Sequence, residues 1–319
     1  MEQYLSTAYD DVFRTLLNDC SPLIIPVINE VFGENYSGDE KIEFAPNEHF
    51  LNAQDGDEKK RITDSNFLVI AKFTRKRYHF ECESTPDLRI LIRMFEYDMQ
   101  IGLDQDREIK ENELIVNLPN SAVLFLRSKP STPDQMRVII RTPGGEVSYE
   151  IPAMKVKNYS INNIFGKKLL FLIPFYIFTY EARFEEIEGN EQKLNELMKE
   201  YEDIKNRLEK MTADGQLDEY TKKTLMDMSE RVLKQIAKNY EIIQKGVGSI
   251  MGGTVLDYEA KRIKNEGRAE GRVEGREEER REWQQKDREW EQERQKMQKE
   301  IERLQMILKE TNGTSRWDT

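Results

Sequence analysis

The chain has 319 residues, 38% hydrophobic and 34% charged, with a net charge of −11; it is long enough for a substantial core plus an appendage, and too polar on average for one compact globule. The net charge argues against a nucleic-acid partner, since phosphate contacts need Lys and Arg, yet basic residues outnumber acidic ones across 121–184 while acidic ones prevail on either side. Cys20 and Cys82 lack ligand-like spacing, Asp10 and Asp11 fall where a signal peptide would be apolar, and the longest apolar run, 169–178, is short and contains Pro174, so a cytoplasmic protein with free thiols and no membrane partner is expected.

Ser6 or Thr7 can cap a first helix carrying Phe13, Leu16 and Leu17 on one side, with Asp10 and Asp11 in its first turn, where the helix dipole favours negative charge. Ser21-Pro22 restarts a second helix over 23–32, which Gly33 ends. Residues 34–62 are polar, include the acidic run 55–58, and read as a loop with a short strand near 42–44. Residues 66–71 and 78–83 are strand-like and flank the basic turn 72–77, so a hairpin is expected. Pro86 and Asp87 open a helix whose apolar stripe is Leu88, Leu91, Ile92, Phe95 and Met99. Strands follow at 122–126, 136–141 and 147–151, the last two joined by Pro143-Gly144-Gly145. This order predicts an α/β domain with a mixed sheet over residues 1–185.

Beyond the buried-looking segment 169–178, residues 190–211 and 217–243 read as two amphipathic helices forming a hairpin within 186–253, separated by Asp214-Gly215. Gly246, Gly248, Gly252 and Gly253 suggest a flexible break. Residues 254–319 read as one long charged helix. It opens with Glu-Gly-Arg repeats at Glu266, Glu270 and Glu274, whose four-residue period drifts by roughly 40° per repeat on a helix and cannot form a coiled-coil seam. Trp283, Trp290, Met297, Ile301, Leu304 and Leu308 follow in a heptad-like register. The alternatives are a solvated helix and a coiled coil joining copies of the chain into a homo-oligomer.

Side chains alternate along a strand, so His79, Glu81 and Glu83 share one face while Tyr78, Phe80 and Cys82 occupy the other. Two carboxylates on one face repel each other unless a cation neutralises them. A turn centred between Thr74 and Arg75 would set Leu68 opposite Glu81 and Asn66 opposite Glu83, with Asp64 pointing the same way. Three converging carboxylates suit Mg2+ or Mn2+, and such an ion can activate water for phosphodiester hydrolysis.

The segments 9–17, Thr63-Asp64-Ser65, His79-Phe-Glu-Cys-Glu-Ser84 and Leu91-Ile-Arg-Met-Phe-Glu-Tyr97 resemble the PD-(D/E)XK nuclease-family transposases, or recombination-promoting nucleases, of bacteria, and the Glu-Gly-Arg repeat is similar to tails in that family. The resemblance covers residues 5–185. It implies a restriction-endonuclease-like mixed sheet with flanking helices, followed here by a long all-helical extension. It further implies a DNA endonuclease linked to recombination or mobile elements, Asp64 and Glu81 as metal ligands, Asp10 as a supporting acid, and Arg93 and Tyr97 near the active site. Position 83 departs from the pattern, since the superfamily has lysine and this family commonly glutamine where Glu83 stands. Either Glu83 is an extra metal ligand, or Lys72, Arg75 or another base replaces the lysine, or the copy is inactive and serves as an oligomeric scaffold or DNA-binding protein. His79 reads as a strand-surface histidine, and Arg93 and Tyr97 as alternatively a surface ion-pair and packing face with Glu96.

Overall fold

A computed structural model describes residues 8–45, 48–51, 59–62, 65–85, 87 and 89–252, the side chains of 48–51 and 59–62 excepted. The chain divides into two units, Met1–Gly253 and Thr254–Thr319. Asp64, the helix caps Ser6 and Thr7, and the repeat and heptad segment of 254–319 lie outside the described residues.

Helix α1 (Ala8–Asp19) buries Phe13, Leu16 and Leu17 as its periodicity requires. A 3-10 turn at Ser21–Leu23 with Pro22 leads into α2 (Ile24–Phe32), and Gly33 ends it at φ +66°, the left-handed conformation for which glycine has no Cβ penalty. The short strand expected near 42–44 is β1 (Lys41–Phe44), and the rest of the expected loop holds two further strands, β2 (Glu48–Leu51) and β3 (Lys59–Ile62). Then come β4 (Phe67–Ile70), β5 (Arg75–Glu83) and α3 (Ile90–Gln105). The hairpin of β6 (Arg107–Lys110) and β7 (Glu113–Val116) turns at Glu111, whose φ is +50°; its charged, largely exposed strands carry no apolar alternation to announce them. The sheet continues with β8 (Asn120–Phe125), β9 (Gln135–Thr142) and β10 (Gly145–Lys155).

The main sheet has six strands in the order β1-β4-β5-β8-β10-β9 and is mixed, with helices on both faces. Strand β5 is parallel to β8 (Glu81 opposite Val123), whereas β1, β4 and β5 pair antiparallel. Strand β10 is long enough to serve two neighbours: its first part pairs antiparallel with β9 and its last residues run parallel to β8. The C-terminal ends of β5, β8 and β10 therefore meet at one edge, where ligands bind in open α/β sheets.

The β4-β5 hairpin differs from the expected register. Its turn is 71–74, closed by the Ala71 N–H to the Thr74 carbonyl at 2.9 Å, so Arg75 to Arg77 belong to the strand and Leu68 faces Arg77 instead of Glu81. The shift is by an even number of residues, so each side chain keeps its predicted face. Ser65 extends the ladder with its side chain: its Oγ accepts from the Phe80 N–H and donates to the Phe80 carbonyl, each at 2.8 Å.

Tyr78, Phe80 and Cys82 point into the larger core, where Phe32 meets the rings of Tyr78 and Phe80 at 5.2 and 5.6 Å. Short helices α4 (Ile161–Gly166) and α5 (Phe184–Glu188) bracket the buried 3-10 segment Leu170–Thr179, and α6 (Glu191–Ala213), α7 (Glu219–Ile236) and α8 (Glu241–Met251) pack into that same core. The change of composition near residue 185 thus marks a more polar surface and not a second core. Residues 217–243 form two helices instead of one. The Glu188 carboxylate of α5 accepts from the N–H groups of Ile242 and Ile243 at 3.0 and 3.1 Å, capping α8 from a distant part of the chain. Gly246 and Gly248 sit inside α8, not in a break, and a Cβ on Gly246 would lie 3.0 Å from the Met198 sulfur of α6.

Candidate active site

The other face of β5 is covered by α3, which runs antiparallel to it. Arg77 donates to Gln105 at 2.6 Å and to Asp106 at 3.0 Å, His79 meets Asp98 at 2.7 Å, and Glu83 accepts from Arg93. The six residue steps from 77 to 83 span about 20 Å of strand, and the twelve steps from 93 to 105 about 18 Å of helix, so the two elements keep step. This pairing is also why the expected helix stripe is rotated: the buried residues are Ile90, Met94, Asp98, Ile101 and Gly102, whereas Ile92 is 60% exposed.

At the centre lies a buried polar network. His79 and Asp98 are wholly inaccessible and Glu81 is 5% exposed, so His79 is an interior residue and not the expected surface one. Its Nδ1 lies 2.7 Å from Asp98 Oδ1 and its Nε2 3.0 Å from Glu81 Oε1. Burial would push the imidazole pKa down, but the two carboxylates outweigh it and raise it to about 10, so both ring nitrogens carry protons and donate. Asp98 also accepts from Ser121 Oγ at 2.5 Å and from the Tyr149 hydroxyl at 2.9 Å. Ser121 bonds the carboxylate and not the imidazole, and it is 3% exposed, so the set is not a nucleophilic Ser-His-Asp triad.

Towards the end of β5 the network opens. Glu83 is half-buried and tied to Arg93. Burial raises its pKa, Arg93 opposes the shift, and the charges of Glu81 and Asp10 add to it. Glu81 and Asp10 of α1 therefore both lie within electrostatic reach of Glu83. Tyr97 sets its ring against the edge of His79 at 5.9 Å. Arg127, just past β8, ties this end of the sheet together. It donates to the Ser84 carbonyl at 3.1 Å, binds both oxygens of Glu181 at 2.5 and 2.6 Å, and lies over the rings of Tyr9 and Phe178.

Lys72 and Arg75 are at the opposite end of β5, about 20 Å of strand from Glu81; Lys72 lies over the Phe73 ring, and Arg75 is 3.8 Å from Glu43. Of the residues expected to bind substrate, only Arg93 and Tyr97 adjoin the acids. Sequence reading missed Asp98, Ser121 and Tyr149, and the one signal was Asp98 at the fourth position after Met94 on an otherwise apolar helix face.

Among the described residues, no group of three or more Asp, Glu, His or Cys side chains is gathered to hold a metal ion. Magnesium keeps several waters and commonly takes only one or two carboxylates. Glu81 and Glu83, hard oxygen donors on one face whose charges oppose each other, fit that requirement. No described helix is long and apolar enough to cross a membrane. No family model, no curated protein and no solved structure matches this chain.

Proposed function

We propose that the sheet domain is a metal-dependent endonuclease that hydrolyses DNA phosphodiester bonds in the cytoplasm, in the manner of the PD-(D/E)XK nuclease-family transposases its motifs resemble, in recombination or the movement of mobile elements. The observation that carries this reading is the pair Glu81 and Glu83 on one face of β5, at the edge where three parallel strands end, with Asp10 close enough to raise the Glu83 pKa. These acids, with Asp64, which precedes the Phe80-bound Ser65 in the chain, would hold Mg2+ or Mn2+. When bound, such an ion acidifies a water and stabilises charge on the phosphoryl oxygens. Lys129 and Lys157, exposed in the segments after β8 and β10, lie at the same edge, where they can hold phosphates of the DNA backbone, and Lys157 is steadied by the Ser128 carbonyl at 3.2 Å. Arg93 places a guanidinium beside Glu83, where the superfamily pattern has lysine.

Purified protein should nick DNA in magnesium, and Asp64→Ala or Glu81→Ala should abolish nicking while circular dichroism stays unchanged; a double variant that cuts as well as wild type refutes the assignment. The engagement of Glu83 by Arg93 favours a second reading, an inactive relative acting as an oligomeric scaffold or DNA-binding protein, which calorimetric titration with Mn2+ separates from the first. Self-association through residues 254–319 belongs to both readings. Light scattering on the full chain and on one ending at Gly253 tests it.

A further inference from the structure

The buried network has a direction. Tyr149 on β10 and Ser121 on β8 anchor Asp98, Asp98 holds His79, and His79 holds Glu81, the member nearest the end of β5, two residues from Glu83. Three strands and one helix contribute its five residues, two of them from β5. Such a set is expensive to bury, and apolar side chains of similar volume usually fill an interior at no loss of stability. Packing alone therefore does not account for it. Asp98 receives a hydrogen bond on each oxygen and two on one of them, so it cannot rotate without breaking at least one. The imidazole, gripped at Nδ1, cannot swing its Nε2 away from Glu81.

We propose that Asp98 and His79 are positioning residues that lock the Glu81 carboxylate in one orientation at the end of β5, so that it presents to a divalent cation without having to be ordered by it. This inference rests on the reading of Glu81 as a metal-holding acid. The logic is that of the carboxylate-histidine pairs behind metal ligands, with the imidazole here orienting a carboxylate ligand instead of ligating. It goes beyond a purely structural role because variants that still fold should lose affinity of the acids for a cation.

The test uses the full-length chain and Mn2+ alone, with the free ion followed by electron paramagnetic resonance. Asp98→Asn and His79→Gln should bind Mn2+ about 10–100-fold more weakly than wild type while keeping the wild-type circular dichroism. On DNA they should lower kcat and leave KM unchanged, since neither residue would touch the nucleic acid. Tyr149→Phe removes one hydrogen bond to Asp98 and leaves every charge in place. It keeps the test decisive if the other two variants do not fold, and its Mn2+ affinity should fall by roughly three- to tenfold. Folded variants that bind Mn2+ as wild type does would overturn the positioning role and leave the nuclease reading standing. Wild type that binds no Mn2+ would overturn the nuclease reading and the positioning role with it.

Discussion

Replacing Asp98 by alanine should cost a large share of the stability of the fold. The carboxylate is wholly buried and accepts three hydrogen bonds, from His79, Ser121 and Tyr149. Its removal leaves a buried imidazolium without one of its two counter-charges, takes the acceptor from the Tyr149 hydroxyl and leaves Ser121 only the long contact to the Pro119 carbonyl at 3.5 Å. Breaking a buried ion pair from one side costs about 3–5 kcal/mol, against a total of about 5–15 kcal/mol for an ordinary domain. With a urea dependence of about 2 kcal/mol per molar, the unfolding midpoint should drop by roughly 2 M. Loss of a proton from His79 would soften the penalty, so the lower end of the range is the firmer expectation. Urea denaturation at pH 7, followed by circular dichroism, reads the effect. Asp104→Ala on an exposed turn of the same helix serves as the control and should stay within about 0.5 kcal/mol of wild type. A double-mutant cycle sharpens the result: Tyr149→Phe should cost about 1.5–3 kcal/mol in wild type and almost nothing once Asp98 is gone. A loss below about 1 kcal/mol for Asp98→Ala, or full additivity in the cycle, would refute the picture of a tightly coupled network.

The same network predicts a pH dependence. The pKa of His79 is raised from 6.5 to about 10 in the folded state, so its contribution is fully present below about pH 6.5 and is lost as pH climbs through the folded value. Stability should fall between pH 7 and 9 with a slope of up to about 1.4 kcal/mol per pH unit, and His79→Gln should flatten that slope; an unchanged slope in a folded variant would remove His79 as its source. Gly102→Ala should destabilise by about 1–3 kcal/mol, because a Cβ there would lie 2.7 Å from Val116 Cγ1 and 3.0 Å from the Asn117 carbonyl, a backbone atom with little room to yield. Thermal melts check it, and a variant as stable as wild type would mean that the β7 end of the structure packs more loosely against α3.

Local rules carried far in this chain. Strand alternation placed His79, Glu81 and Glu83 on one face and Tyr78, Phe80 and Cys82 on the other, and the faces survive in the structure despite a wrong register, because the error was an even number of residues. The turn chemistry of Gly33 and the strand signals at β8, β9 and β10 were equally legible, since they depend on backbone conformation within a few residues. The charged hairpin β6-β7 was not, for its strands bury no alternating face.

That two carboxylates and a histidine share one face of a strand in an α/β domain was readable from residue order, because a period of two is a property of the extended backbone alone. What those residues meet was set by long-range packing. Asp98 is 19 residues from His79, Ser121 lies 23 beyond Asp98, and Tyr149 lies 51 beyond it; no local pattern encodes such pairings, which arise when α3 lies antiparallel across β5 and the parallel strands close beside it. For the same reason, a helix stripe judged by apolar residues alone was drawn to one side. One of its fully buried positions holds an aspartate, affordable in the interior only because three donors from elsewhere in the chain converge on it.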